Sequence, residues 1–229
     1  MSDNALPLAR PAASASVDGT GWRLVFTGFA ASVPVANLAQ AVEVAAVAVD
    51  TAGADADEHL IVDLRADRVE LTAQTRRING VTARDAEIAH AITKALARRG
   101  IALAAPSGPS RPVQLLEFAI DALDIAAIRP FWKAVLAYVD QPGAGPDGPL
   151  VDPVGQLPSL WFQQMDAPRP QRNRIHFDLD VAHDEAERRL AAAIDAGGVL
   201  VNADNARAWW VLADVEGNEI CICTWQDRD

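Results

Sequence analysis

Glu117-Phe118-Ala119-Ile120-Asp121 returns 59 residues later as His176-Phe177-Asp178-Leu179-Asp180. In an extended strand successive side chains point to opposite faces, so Glu117 and Asp121 share one face, as do His176, Asp178 and Asp180. Phe118, Ile120, Phe177 and Leu179 point the other way, where helices would cover them. Each segment is followed by a helical pattern, opened by Asp124 in the first case and Asp184 in the second. Each half then carries an Asp-x-x-Gly turn, Asp152 to Gly155 and Asp214 to Gly217, 62 residues apart. The order strand, helix, several strands, written twice, predicts a duplicated βαβββ domain over residues 113–229. Polar side chains gathered on one face suggest a ligand site.

Upstream, the run Ala104-Ala105-Pro106-Ser107-Gly108-Pro109-Ser110-Arg111-Pro112 breaks all periodicity with Pro, Gly and Ser, and places a linker at 105–112. Before it, residues 21–104 read as a separate domain. Trp22 to Phe29 reads as a strand, Pro34 to about Val49 as a buried amphipathic helix, and Val62–Asp67 and Val69–Thr75 as short strands. Thr82 to Arg99 reads as a second helix: Thr82 caps it, Asp85 stands at the capping-box position, and Ile88, Ile92, Ala95 and Leu96 form the apolar face up to Gly100. Residues 1–20, with Pro7, Pro11 and a Ser/Ala run, read as a loose tail with neither the basic start nor the apolar core of an export signal.

A chain of 229 residues accommodates two such domains. Thirty-one acidic against twenty basic residues give a net charge of −11, which disfavours nucleic acid and anionic membrane surfaces as partners. The Ala/Val-rich segment from Val33 to Val49 is interrupted by Asn37, Gln40 and Glu43, so no membrane span is expected and a cytoplasmic location is. The two cysteines, Cys221 and Cys223, alternate along a strand, too far apart to bridge comfortably, and lack the second Cys/His pair of a structural zinc site. Adjacent Trp209 and Trp210 must face opposite sides of their strand, one inward and one toward a cavity or partner. Gly197-Gly198 reads as a helix stop.

The repeated segments, with Phe131-Trp132, Asp152-Pro153-Val154-Gly155, Leu160-Trp161-Phe162-Gln163, Asn173-Arg174-Ile175-His176-Phe177-Asp178-Leu179 and Asp214-Val215-Glu216-Gly217-Asn218-Glu219, resemble the glyoxalase-like branch of the vicinal oxygen chelate family. In metal-dependent members of that family four strand positions hold a divalent cation. They fall here on Glu117, Gln163 or its neighbour, His176 and Cys221. An amide and a lone thiolate make an unusual set. The resemblance therefore implies a ligand-binding group, Glu117, Gln163, His176, Asp178 and Cys221, with no metal ligand assigned outright and a divalent metal left open.

In the first domain, Glu58-His59-Leu60-Ile61-Val62-Asp63-Leu64-Arg65 followed by Thr75-Arg76-Arg77-Ile78-Asn79-Gly80-Val81-Thr82-Ala83-Arg84-Asp85 resembles the pterin-4a-carbinolamine dehydratases. Those enzymes expel water from a 4a-hydroxytetrahydropterin with three histidines, whose near-neutral titration suits proton transfer. The first histidine falls on Glu58, the second on His59 and the third on Arg76, with Leu60 and Asn79 also departing from the pattern. A glutamate can still exchange protons, whereas a guanidinium stays charged and cannot act as a base. Glu58, His59 and Arg76 are the catalytic positions the resemblance implies, a pterin the substrate, and weak or lost lyase activity the expectation.

The resulting fold class is α+β: a dehydratase-like α/β sandwich followed by a duplicated βαβββ glyoxalase-like domain. Three functions are open: an altered pterin dehydratase, a small-molecule site in the duplicated domain, or a first domain that serves as an assembly module of a homo-oligomer.

Overall fold

A computed structural model describes residues 6–104, 115–168 and 175–227. The chain divides into two compact units, Met1–Leu115 and Leu116–Asp229. The expected linker at 105–112 lies outside the described residues, as do Asn173 and Arg174.

In the first unit β1 (Arg23–Val25) and β2 (Gly28–Pro34) form a hairpin, followed by α2 (Leu38–Ala52), a short α3 (Ala56–His59), β3 (Leu60–Leu64), β4 (Arg68–Ala73) and α4 (Ala83–Ala97). The sheet is antiparallel in the order β1-β2-β4-β3. Alternation places Phe29, Ala31 and Val33 of β2 beside Ala73, Leu71 and Val69 of β4 on the buried face. Ala41, Val44, Ala48 and Ala52 of α2 and Ile88, Ile92 and Leu96 of α4, at helical spacing, complete that core.

Three expectations need correction here. The strand read over Trp22–Phe29 is two strands, because Phe26 takes φ 56° and turns the chain between Val25 and Gly28. The helix starts at Leu38 rather than Pro34, capped by Asn37, whose side chain accepts the Gln40 N–H at 3.0 Å. The loose tail contains α1 (Arg10–Ser16), opened by a proline in its first turn, with Ala13 and Val17 buried in the core. The capping box of α4 forms as read, with Asp85 accepting from the Thr82 N–H at 2.7 Å. Among the described residues no helix is long and apolar enough to cross a membrane.

The second unit is a duplication. Its first half is β5 (Glu117–Ala122), α5 (Ile125–Leu136), β6 (Val139–Asp140), β7 (Leu150–Val151) and β8 (Ser159–Gln164). The second half is β9 (Asp178–Asp180), α6 (Ala186–Asp195), β10 (Val199–Asn202), β11 (Trp209–Ala213) and β12 (Glu219–Cys223). The two sheets run β5-β8-β7-β6 and β9-β12-β11-β10, the first strand of each pairing parallel with the last. The turns also match: Gly155 and Gly217 each donate to the carbonyl of the aspartate three residues back at 3.1 Å, with φ of 74° and 87°. Asp124 caps α5 through the Ala127 N–H, whereas α6 begins after Glu185 and not at Asp184.

Two links tie the halves together. The buried Trp132 indole of α5 donates to Asp214 of the second half at 2.9 Å, and the Glu216 carboxylate accepts the N–H groups of Leu123 and Asp124 where α5 begins. Ile120, Ile128, Phe131, Leu160, Leu212, Ile220 and Ile222 pack the core between helices and sheets. Trp210 packs against this core while Trp209 on the other face is 36% exposed, the division expected of adjacent strand residues.

Candidate functional site

Both sheets of the second unit turn one face to the helices and leave the other open. On the open face β9 and β12 run parallel, with Asp178 directly beside Cys221 in the ladder. His176 lies two residues before Asp178, on the same face by alternation. The result is one imidazole, one carboxylate and one thiol with ligand atoms all within 4.8 Å of one another. Cys221 Sγ is 3.9 Å from His176 Nδ1. His176 and Asp178 are exposed and Cys221 is buried, so the group opens to solvent from the two strand residues of β9. Burial first, and then hydrogen bonding and charge from Asp178, push the Cys221 thiol up to about 12. Without a cation the sulfur therefore keeps its proton at neutral pH, and it becomes a ligand only by releasing it.

The group offers donor types that a divalent ion takes, at spacings somewhat wider than a bound ion sets. Zinc bonds of about 2.0–2.3 Å in tetrahedral array separate nitrogen and sulfur ligands by about 3.5 Å, close to the 3.9 Å observed. Three protein donors leave a position for a ligand oxygen, the pattern of working rather than structural sites.

The other expected positions lie apart from this group. Glu117, in the first half, accepts the Ser159 hydroxyl at 3.0 Å. Gln163 pairs with Asp121 and donates to the Gln164 carbonyl at 3.3 Å. The registers identify the true counterpart of Cys221: Ala119 pairs with Trp161 as Asp178 pairs with Cys221, so Trp161 occupies in the first half the place Cys221 holds in the second. The duplication has kept the fold while, among the described residues, the clustered donors lie in the second half.

In the first unit the three positions expected from the dehydratase resemblance, Glu58, His59 and Arg76, are held by separate partners. Glu58 accepts from Arg77 at 2.7 Å, and Arg76 donates to the Leu60 carbonyl at 2.9 Å. His59 Nδ1 lies 2.8 Å from Asp85, which is fully buried and also accepts from the Thr75 hydroxyl and from the Thr82 N–H and hydroxyl. Asp85, legible in sequence as a helix-capping acid, is thus also the group that orients His59. The 26-residue separation of the two hid that role.

Comparison with known proteins matches residues 117–223 to the family described as glyoxalase-like domain. No curated protein matches the chain. Among solved structures, a glyoxalase/bleomycin resistance protein/dioxygenase family enzyme of Burkholderia phytofirmans is 20% identical over 47% of this chain and 95% of its own, with a TM-score of 0.39. A glyoxalase/dioxygenase of Nostoc punctiforme is 14% identical over 51% and 94%, with a TM-score of 0.38. A fosfomycin resistance protein of Listeria monocytogenes, solved with Mn(II) and a dihydroxypropylphosphonic acid, is 8% identical over 49% and 90%, with a TM-score of 0.39. Residues 117–223 are a glyoxalase-like domain.

Proposed function

We propose that this glyoxalase-like domain is the working part of the chain, and that it binds a small metabolite on the open face with a divalent cation held by His176, Asp178 and Cys221. The observation that carries the reading is the convergence of those three ligand atoms within 4.8 Å. A cation bound there supplies Lewis acidity toward a ligand oxygen. The chain's own part is to present one imidazole nitrogen and one carboxylate from β9 and, from the buried strand beside them, a thiol that gives up its proton on binding. Gln163, Asp121 and Glu117 line the corresponding face of the first half, within the same domain, as polar contacts for the ligand. Metal analysis of protein purified without chelators tests the proposal. Near-stoichiometric divalent metal is expected in the wild-type chain and its loss in His176→Ala. Equal metal in both, or none after loading with zinc or manganese, overturns it.

For the first unit we propose at most a residual dehydratase activity toward a 4a-hydroxytetrahydropterin. Support comes from the engagement of Glu58 by Arg77 and of Arg76 by a main-chain carbonyl, which leaves His59 as the single imidazole among the three positions. Turnover of the hydroxylated pterin at the rate of a three-histidine enzyme refutes this. The further proposal that the first unit serves assembly of a homo-oligomer predicts a solution mass above that of one chain, and a monomer at micromolar concentration sinks it.

A further inference from the structure

The open face of the second half carries sulfur on an inner strand of its sheet. Cys221 sits in β12 between Val211 of β11 and Asp178 of β9, so ladders on both sides fix its main chain, and its side chain is buried. Ile220 and Ile222, pointing the other way, anchor the same strand in the core. Cys223 follows on the open face, between Trp209 and Asp180. Among the described residues it is Cys221, and not Cys223, that clusters with His176 and Asp178, its Sγ 3.9 Å from His176 Nδ1.

The cluster therefore offers one nitrogen, one oxygen and one sulfur. Magnesium, calcium and manganese are hard ions that take about six or more ligands, mostly oxygen. In this group they meet a single carboxylate. An ion that bonds sulfur weakly is left with the two donors of β9, His176 and Asp178, both exposed to competing water. Zinc and cadmium bond thiolate sulfur strongly, and zinc accepts four mixed nitrogen, oxygen and sulfur ligands. For such an ion the buried sulfur is the strongest of the three donors, shielded from water by its neighbouring strands.

We infer that Cys221 makes this a site for thiophilic ions of the zinc type, held through a sulfur–metal bond, and that this one side chain discriminates against manganese and magnesium. The inference rests on the proposed metal group and deepens it by naming the class of ion it takes. On binding, the Cys221 S–H bond breaks, its electron pair forms the bond to the metal, and the proton passes to solvent. No oxidation or reduction is involved.

Zinc, cadmium and manganese are the probes, titrated into the full-length chain after chelator treatment. Cadmium-loaded wild-type protein is expected to show a sulfur-to-metal charge-transfer absorption in the ultraviolet, lost in Cys221→Ser and kept in Cys223→Ser. Nitrogen and oxygen sites already favour zinc over manganese, so the test lies in how the ratio of affinities changes. Cys221→Ser should lower zinc affinity about a hundredfold, a loss of about 2.8 kcal/mol, and leave manganese affinity within about threefold of wild type. No charge-transfer band in wild-type protein that binds cadmium, a band that survives Cys221→Ser, or an unchanged zinc-to-manganese ratio overturns the inference. In each of those cases metal that is still lost in His176→Ala leaves the proposed metal group standing. Failure of wild-type protein to bind any of the three ions overturns both. The band is read first in the wild-type chain and does not depend on a variant folding.

Discussion

Replacing Asp214 by asparagine changes almost no volume, yet it should cost the second unit a large part of its stability. Asp214 is 2% exposed and each of its carboxylate oxygens takes two N–H donors at 2.9 Å: the main-chain groups of Glu216 and Asn218 on one, the Trp132 indole and the Asn218 amide on the other. An asparagine supplies one oxygen and one NH2, so one pair of donors faces another donor whichever way the amide is turned. Hydrogen bonds to a charged group are worth about 1.5–3 kcal/mol each, and losing two gives about 3–6 kcal/mol before relaxation. The lower end, about 3 kcal/mol, is the expected loss, because a neutral amide is cheaper to bury than a carboxylate. Small domains stand only about 5–15 kcal/mol above unfolding. Urea denaturation followed by tryptophan fluorescence reads the effect as a midpoint lower by about 2 M, taking a slope of about 1.5 kcal/mol/M. The internal control is Asp152→Asn at the matching turn of the first half. Asp152 accepts, among the described residues, the main-chain N–H groups of Val154, Gln156 and Leu157, on an exposed turn where water can replace what is lost. About 1 kcal/mol or less is expected there. Equal costs at the two aspartates, or a midpoint unchanged by Asp214→Asn, would refute the reasoning that the indole bond ties the halves together.

Tyr138, the chain's single tyrosine, is pushed up to about 12, by burial first and then by the Asp152 charge, so ultraviolet titration of tyrosinate should show one late transition near that value. The folded state holds this proton where the unfolded chain has lost it. Its contribution to stability is therefore full below about pH 10 and is lost as pH rises through the folded value; a tyrosinate transition at the ordinary pH is the contrary result. Gly198→Ala places a methyl group against the Phe131 ring and 2.8 Å from the Ala193 carbonyl, and should lower stability by about 1–3 kcal/mol in thermal melts. Unaltered melting would show that α5 can move away from this turn. Cys221 and Cys223 are 5% and 2% exposed, so a thiol reagent should label neither in the native chain within the time that labels both after denaturation. Rapid labelling of native protein would contradict their burial.

How far the sequence could be read follows the range of the interactions involved. The alternation in Glu117–Asp121, the Asp-x-x-Gly turns and the Thr82–Asp85 box are all set within a few residues, and each is formed as read. The break at Phe26 is hard to read because strand formers, Phe26 and Thr27, fill the two central turn positions and the one glycine, Gly28, already pairs in β2. Gln163 or its neighbour was what the family resemblance implied, but a resemblance between sequences does not supply the register that makes Trp161 the counterpart of Cys221.

By itself the sequence determined that the second half is two copies of one βαβββ unit, because burial periodicity and turn chemistry are local and were written twice. Only the tertiary structure decided which donors meet. Asp178 and Cys221 are 43 residues apart and become neighbours through the parallel pairing of β9 with β12, while Glu117 is held in the other half by Ser159. It likewise decided that Glu58 and Arg76 are engaged by Arg77 and the Leu60 carbonyl, and that Asp85 orients His59. These contacts depend on strand register and helix packing, which sum over many weak interactions and leave no mark at the residues they join.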